Sequence, residues 1–322
     1  MVYKSWLLLL LCLLAGCGTP SFLITPVKFT ADLEEVELKP GGGFGGGKVV
    51  VIPIDGLLAN AQTGGLLQPT ENPMSLFQQQ LDYISNDKSV KAVVLRVNSP
   101  GGTVSCSDAM YTILLRYKQK THVPVVASTQ EVCASGAYYI SCAADKIVVQ
   151  PTSIVGSIGV IFNTFDASGT MSKIGLKSEA IKSARNKDLG SPFKPLDDED
   201  RKIMQGMVDE YFVRFKSIVR EHRTIKDEDF GTVTDGRVFS GMKAVELGLA
   251  DETGLLDDAI DVAKHLGNAP NAKVVIFRRP YSYSGSIYAS SSMQNPQANV
   301  VQLQLPGERS FLPTGFYYMW QP

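Results

Sequence analysis

A serine and a lysine, with no histidine placed to serve them, are the residues of this chain best suited to nucleophilic chemistry. Ser135 lies in EVCASGAYYISCA, where a strand-like run, Val123 to Ser128, gives way after a short turn to a helix-like run. Its hydroxyl is therefore expected near a helix N-terminus, where backbone N–H groups and the helix dipole stabilise an alkoxide or the oxyanion of a tetrahedral intermediate. A serine nucleophile needs a base. His122, His222 and His265 fall at the start of a strand and in two amphipathic helices, and none resembles a partner. A lysine can be the base when burial lowers its pKa toward neutrality. Lys187, in IKSARNKDLGSP, and Lys182, five residues earlier, are the candidates. Taken alone, Ser135 could also be a helix N-cap, and a lysine in so polar a stretch is usually a solvated surface charge.

Two glycines add a possible acceptor site for negative charge. Gly101 and Gly102 follow an apolar strand, and the missing side chains let backbone approach a bound carbonyl. The simpler alternative is a tight turn.

The elements that must position these residues follow from the pattern of apolar residues. KVVVIPIDG (Lys48 to Gly56) and VKAVVLRVNS (Val90 to Ser99) read as buried strands, with a helix over Met74 to Tyr83 between them. A helix from about Ser107 to Lys120, the strand at Val123, a helix after Ser135 and the strand Lys146 to Gln150 continue the alternation. That pattern predicts an α/β domain with largely parallel strands. Asp197 to about Arg223 reads as a long amphipathic helix with an acidic first turn and apolar residues at three-to-four spacing. Two shorter helices, Met242 to Leu247 and Leu255 to Leu266, precede a last strand, Ala272 to Phe277.

Composition sets the outer limits. The 322 residues are 44% hydrophobic with a formal net charge of -1, which suits one large domain or two small ones and offers no basic surface for nucleic acid. The first residues, MVYKSWLLLLLCLLAGCG, pair one cation, Lys4, with a short apolar run and small residues before Cys17, as in a bacterial export signal. Leu14-Ala15-Gly16-Cys17 resembles the lipobox of bacterial lipoproteins, in which the cysteine is lipidated. Residues 1–17 are thus expected to be a lipoprotein signal, with Cys12 discarded and Cys17 carrying acyl chains that hold the protein on a membrane face. Residues 18–47, ending in GGGFGGG, read as a Gly-rich tether, 48–270 as the folded body, and 271–322 as a last strand and a tail with an apolar cluster from Phe316 to Trp320, which composition favours as flexible over an arm that docks on a neighbour. Cys106, Cys133 and Cys142 lack metal-ligand spacing and read as core residues; no metal, cofactor or disulfide framework is legible.

The segments NSPGGTV, ASGAYYIS, ADKIVV, TSIVGSIGV, KSARNKDLGSP and DGRVFSGMKAVELGLADETG, in this order, resemble those of the signal peptide peptidase A family, also called protease IV, in its short single-domain form. The resemblance runs from about Lys48 to Lys264. It implies the spiral ββα fold shared by Clp proteases and crotonases, and a serine endopeptidase with a serine/lysine dyad. By position it implies Ser135 as nucleophile and Lys187, rather than Lys182, as general base. Ser157 in VGSIG would orient the lysine amine, and Gly102 would give an oxyanion-hole N–H, with Gly136 as a second donor. It further implies a ring-shaped homo-oligomer in which neighbouring protomers complete each site. One departure is Ala137, where the family commonly has a second glycine after the Ser-Gly pair.

Together these readings describe an exported, lipid-anchored endopeptidase of the bacterial cell envelope, on the extracytoplasmic face, cutting apolar peptides such as remnant signal peptides. A catalytically silent lipoprotein of the same fold is the alternative in kind. A crotonase-type acyl-CoA enzyme is a further one, opposed by the export signal because acyl-CoA is cytoplasmic. A histidine-based triad is opposed by the absence of any histidine between Ser135 and His222.

Overall fold

The two apolar runs at Lys48 and Val90 are rich in β-branched residues, and they form adjacent parallel strands whose alternate side chains feed two different cores. The computed structural model describes residues 32–42, 46–61, 71–279 and 315–320, and the residues from Leu33 onward form one compact unit. In chain order the elements are β1 (Glu34–Lys39), β2 (Lys48–Asp55), α1 (Pro73–Ile84), β3 (Val90–Ser99), β4 (Gly101–Thr103), α2 (Val104–Thr121), β5 (Val125–Ala134), α3 (Gly136–Ser141), β6 (Lys146–Val149), β7 (Ile154–Gly156), β8 (Ile161–Asn163) and α4 (Ser168–Lys173). A 3₁₀ turn, Arg185–Asp188, follows, then α5 (Asp198–His222), α6 (Asp227–Val233), β9 (Val238–Ser240), α7 (Gly241–Glu246), β10 (Glu252–Thr253), α8 (Leu256–Leu266), β11 (Lys273–Arg278) and β12 (Gly315–Met319).

The main sheet runs β1-β11-β2-β3-β5-β6-β10, with β7 pairing β5 and β9 pairing β7. The pairings β11–β2, β2–β3, β3–β5, β5–β6, β5–β7 and β6–β10 are parallel, whereas β1–β11 and β7–β9 are antiparallel. Val49, Val51, Val94 and Val126 face α8 through its Leu256, Ala259, Ile260 and Ala263. Val50, Ile52, Val93 and Leu95 face the larger core beneath α1, α2, α3 and the second half of α5. The result is a mostly parallel sheet with helices packed on both faces.

Three regions differ from expectation. The stretch read as a tether, 18–47, contains β1, which pairs with β11 and is anchored through Glu35 to Lys48 and Lys273. Residues 18–31 and Cys17 lie outside the described residues, as do 43–45. The strand expected to stop at Ser128 runs on to Ala134, past a register shift against β3 between Val97 and Ser99, and its last residues pair with β7. In the region read as a flexible tail, Gly315–Met319 is a strand, β12, with Tyr317 and Tyr318 buried. Residues 280–314 lie outside the described residues. Composition alone gave no partner for the Phe316–Trp320 cluster; a second, small sheet of order β4-β12-β8 supplies one.

Candidate active site

Ser135 stands between β5 and α3 with φ 53° and ψ -115°, a backbone conformation that a non-glycine residue holds at a cost of about 1–3 kcal/mol. The surrounding bonds hold it there. Its N–H donates to the Gly156 carbonyl at 2.7 Å, and its own carbonyl accepts from Tyr139 N at 2.8 Å. The residue is 1% exposed, and its Oγ has no hydrogen-bond partner. The side chain therefore does not cap α3, which excludes the capping alternative. A buried hydroxyl left without a partner loses about 1–3 kcal/mol, so its retention here needs a functional reason. Because α3 has six residues, stabilisation of charge at this point rests on nearby amides more than on a helix dipole.

Those amides come from a glycine cradle. Gly101, at φ 97°, Gly102 and Gly136 pack backbone against backbone. A Cβ on Gly101 would lie 2.6 Å from Gly136 N, one on Gly136 would lie 3.2 Å from Gly102 N, and one on Gly102 would collide with the Leu58 carbonyl at 1.8 Å. The tight-turn alternative for the paired glycines does not hold, since they form β4. Leu58 N donates to Gly101 O at 2.9 Å and Thr103 N to Leu58 O at 2.8 Å, so Leu58 holds one flank of the strand, while β12 pairs with the other. Gly136 is the first residue of α3, where an N–H has no partner within the helix. Ala137 is fully buried in the main core, so the added methyl is absorbed by packing.

Ser157 lies beside Ser135, since Ala134 pairs with Gly156 across β5 and β7. It too has a positive φ, 50°, and is buried; its N–H is held by Arg237 O at 2.8 Å. Lys187 is exposed on the 3₁₀ turn, and because Ser135 Oγ has no partner, the Lys187 amine of the same chain is not bonded to it. Lys182 is committed elsewhere: its amine donates to Asp188 at 2.8 Å and to the Arg185 carbonyl at 3.2 Å. The Lys182 bond holds the Asp188 carboxyl below the usual carboxylate range. Lys194 links Asp188 to the buried Asp200 of α5, at 3.1 and 2.7 Å, and so ties the Lys187 turn to the helix.

The three histidines stay apart from this site in role. His122 caps α2 in a left-handed conformation, His265 lies in α8, and His222 closes α5 with its Nε2 2.7 Å from the Tyr111 hydroxyl. Cys106, Cys133 and Cys142 are buried and unpaired.

One feature of the site escaped the sequence reading. Beside the cradle, Tyr139 and Phe215 form an aromatic pocket that is filled by Tyr318 of β12, whose hydroxyl donates to the Tyr211 carbonyl.

Ser135 is thus a buried, unpartnered serine on a strained strand-to-helix junction beside close-packed glycine backbone. Residues 58–155 match the Clp protease family and residues 117–270 match peptidase family S49. The chain is 33% identical to the putative protease MJ0651 of Methanocaldococcus jannaschii over 85% of each chain. It is also 33% identical to the putative signal peptide peptidase SppA of Enterococcus faecium, over 72% of this chain and 67% of that one. Against Protease 4 of Haemophilus influenzae the identity is 31%, over 69% of this chain and 35% of that protein. The chain belongs to peptidase family S49 and is a serine protease.

Proposed function

We propose that this protein is an endopeptidase that cleaves apolar peptides through a Ser135/Lys187 dyad and an acyl-enzyme intermediate. The observation that carries the reading is the Ser135 side chain, buried and unpartnered on a strained backbone beside Gly102 and Gly136. Ser135 Oγ attacks the substrate carbonyl as Lys187 takes its proton. The N–H groups of Gly102 and Gly136 receive the oxyanion, and the lysine returns the proton to the leaving amine. Water then releases the acyl group by the same route.

A neighbouring protomer brings the lysine. Support comes from the segment that carries it: Phe165, Ile174, Leu176, Ile181 and Phe193 are all more than half exposed in the single chain, and Ile203, Met207 and Tyr211 of α5 are half-buried. Apolar side chains at that density on one arm fit an interface between copies of the chain. Lipidation at Cys17, in the lipobox-like tetrad Leu14 to Cys17, would hold the protein on the outer side of a bacterial membrane, where remnant signal peptides are left. Among the described residues no helix is long and apolar enough to cross a membrane.

The test is hydrolysis of an apolar peptide ester by the purified protein. Ser135→Ala and Lys187→Ala are each expected to abolish it, and a serine-directed phosphonate should label the parent but not Ser135→Ala. Full activity in either variant would sink the dyad.

A further inference from the structure

The turn that carries Lys187, Arg185–Asp188, is fastened to the start of α5 by its other three side chains. Arg185 Nη1 lies 2.6 Å from Glu199 Oε2, and its Nη2 lies 3.7 Å from Asp197 Oδ2. Asn186 Nδ2 donates to Glu199 Oε1 at 3.4 Å. Asp188 stands between two lysines, with Lys182 Nζ 2.8 Å from its Oδ2 and Lys194 Nζ 3.1 Å from its Oδ1. Lys194 Nζ is also 2.7 Å from Asp200 Oδ2. Lys187 is the one residue of the four whose side chain has no bond among the described residues.

Exposed ion pairs of this kind hold little by themselves. The Lys194 contacts differ, because Asp200 is 1% exposed and both Asp188 Oδ1 and Asp200 Oδ2 are buried oxygens without a hydrogen-bond partner. The Lys194 ammonium is the group that compensates both charges. Without it two carboxylates would repel each other where little water reaches, and one of them would have to move. Asp200 is the better held, as the third residue of α5 with its N–H donating to the N-cap Asp197 at 2.8 Å. The Asp188 side has no core behind it: residues 172–187 are all exposed, so polar contacts set where the turn sits.

We infer that Asp200, acting through Lys194 and Asp188, is the positioning residue of the general base: it fixes the Lys187 turn against α5 and so sets where the amine meets the serine. This rests on the proposed role of Lys187 as that base. Two ammonium groups, Lys182 and Lys194, and two carboxylates, Asp188 and Asp200, cancel, so the clamp closes without drawing on Lys187. The placement acts within the chain that carries the lysine, whichever chain supplies the serine. Base and nucleophile stand on different elements, and a misplacement of about 1 Å between them costs on the order of a hundredfold in rate.

The test compares Asp200→Asn, Lys194→Gln and Lys194→Arg with the parent, as full chains, in hydrolysis of an apolar peptide ester. Asp200→Asn and Lys194→Gln should each lower kcat about tenfold or more with KM within about twofold of the parent. Lys194→Arg, which keeps charge and reach, should recover most of that loss. The double variant Asp200→Asn/Lys194→Gln should be no slower than the slower single one, because both break one linkage. Parent-like kcat in both single variants, a loss carried by KM, or losses that multiply in the double variant would overturn the inference. A second measurement separates local loosening from unfolding. In the uncleaving Ser135→Ala chain, Lys194→Gln should speed amide hydrogen exchange at Lys187, Leu189 and Ser191, whose N–H groups are bonded within the turn, and leave α5 protected. Exchange that is unchanged at those three amides, or faster along the whole chain, counts against a local clamp. An inactive Lys187→Ala beside parent-like clamp variants overturns the clamp and leaves the dyad standing; full activity in Lys187→Ala overturns the dyad, and the catalytic meaning of the clamp with it.

Discussion

Ser135 and Ser157 are neighbours across a strand pair: the Ser135 N–H donates to the carbonyl of Gly156, at 2.7 Å, and the next residue along is Ser157, which shares its positive φ. Two serines are thus presented in unusual backbone conformations at the same end of β5 and β7. A lysine approaching Ser135 from another chain would meet both hydroxyl-bearing residues on arrival.

Shared sites give the first prediction. Ser135→Ala and Lys187→Ala chains, each inactive, should regain activity when co-assembled, at about a quarter of the parent level if each site draws its serine and lysine independently from an equal mixture. Activity of co-purified mixed assemblies checks this. No recovery would mean that both residues come from one molecule.

Gly136→Ala separates folding from chemistry. Its Cβ would lie 2.2 Å from Ser107 Oγ and 3.2 Å from Gly102 N. The first contact overpacks a buried site and should cost about 1–3 kcal/mol of stability, seen as a lower melting temperature. Adding Ser107→Ala removes the clashing oxygen and should restore the melting temperature. Activity should stay down about 10²–10³-fold, because the methyl still stands in the cradle.

His222 predicts a pH dependence of stability. Burial, with help from Lys118 and Arg223 and against Glu221, holds its pKa below the ordinary 6.5. The unfolded chain therefore binds this proton at a higher pH than the folded one, and stability falls as pH drops from above 6.5 toward the folded value. A thermal melt series from pH 7.5 to 5.5 should show a decline that is smaller in His222→Gln, where no proton is taken up. Parallel curves for the two proteins would refute the assignment.

The body cysteines should be inert. Burial pushes the Cys106 thiol up to about 11 and those of Cys133 and Cys142 up to about 12, so almost no thiolate is present at neutral pH. Iodoacetamide should label all three in urea and none in the folded protein, by mass of the intact chain, and peptidase activity should survive the treatment. Inhibition that tracks labelling of one of them would contradict this.

Much of the positioning framework was legible in advance. The strands at Lys48 and Val90 and the helices at Met74, Asp197 and Leu255 fall within a few residues of expectation, because each has a long apolar period that states its own structure. The strands that build the site had no such signature. β4, β7, β8 and β9 have three residues each, too few for an alternation to show, and they exist because neighbouring backbone offers hydrogen bonds. The preference for Lys187 over Lys182 rests on motif order; the Lys182–Asp188 bond is a contact between segments that no local pattern announces.

By itself the sequence determined the alternating α/β pattern, the serine at a strand-to-helix junction and the glycines that can approach a carbonyl, all of which are local properties of residue type and period. The tertiary structure alone decided that Gly101, Gly102 and Gly136 converge on one point, that Ser135 is strained and unpartnered there, and that Tyr318 reaches the same point from the far end of the chain. Those facts depend on pairing between segments distant in sequence, where the energy lies in backbone hydrogen bonds and ring packing that no local pattern records.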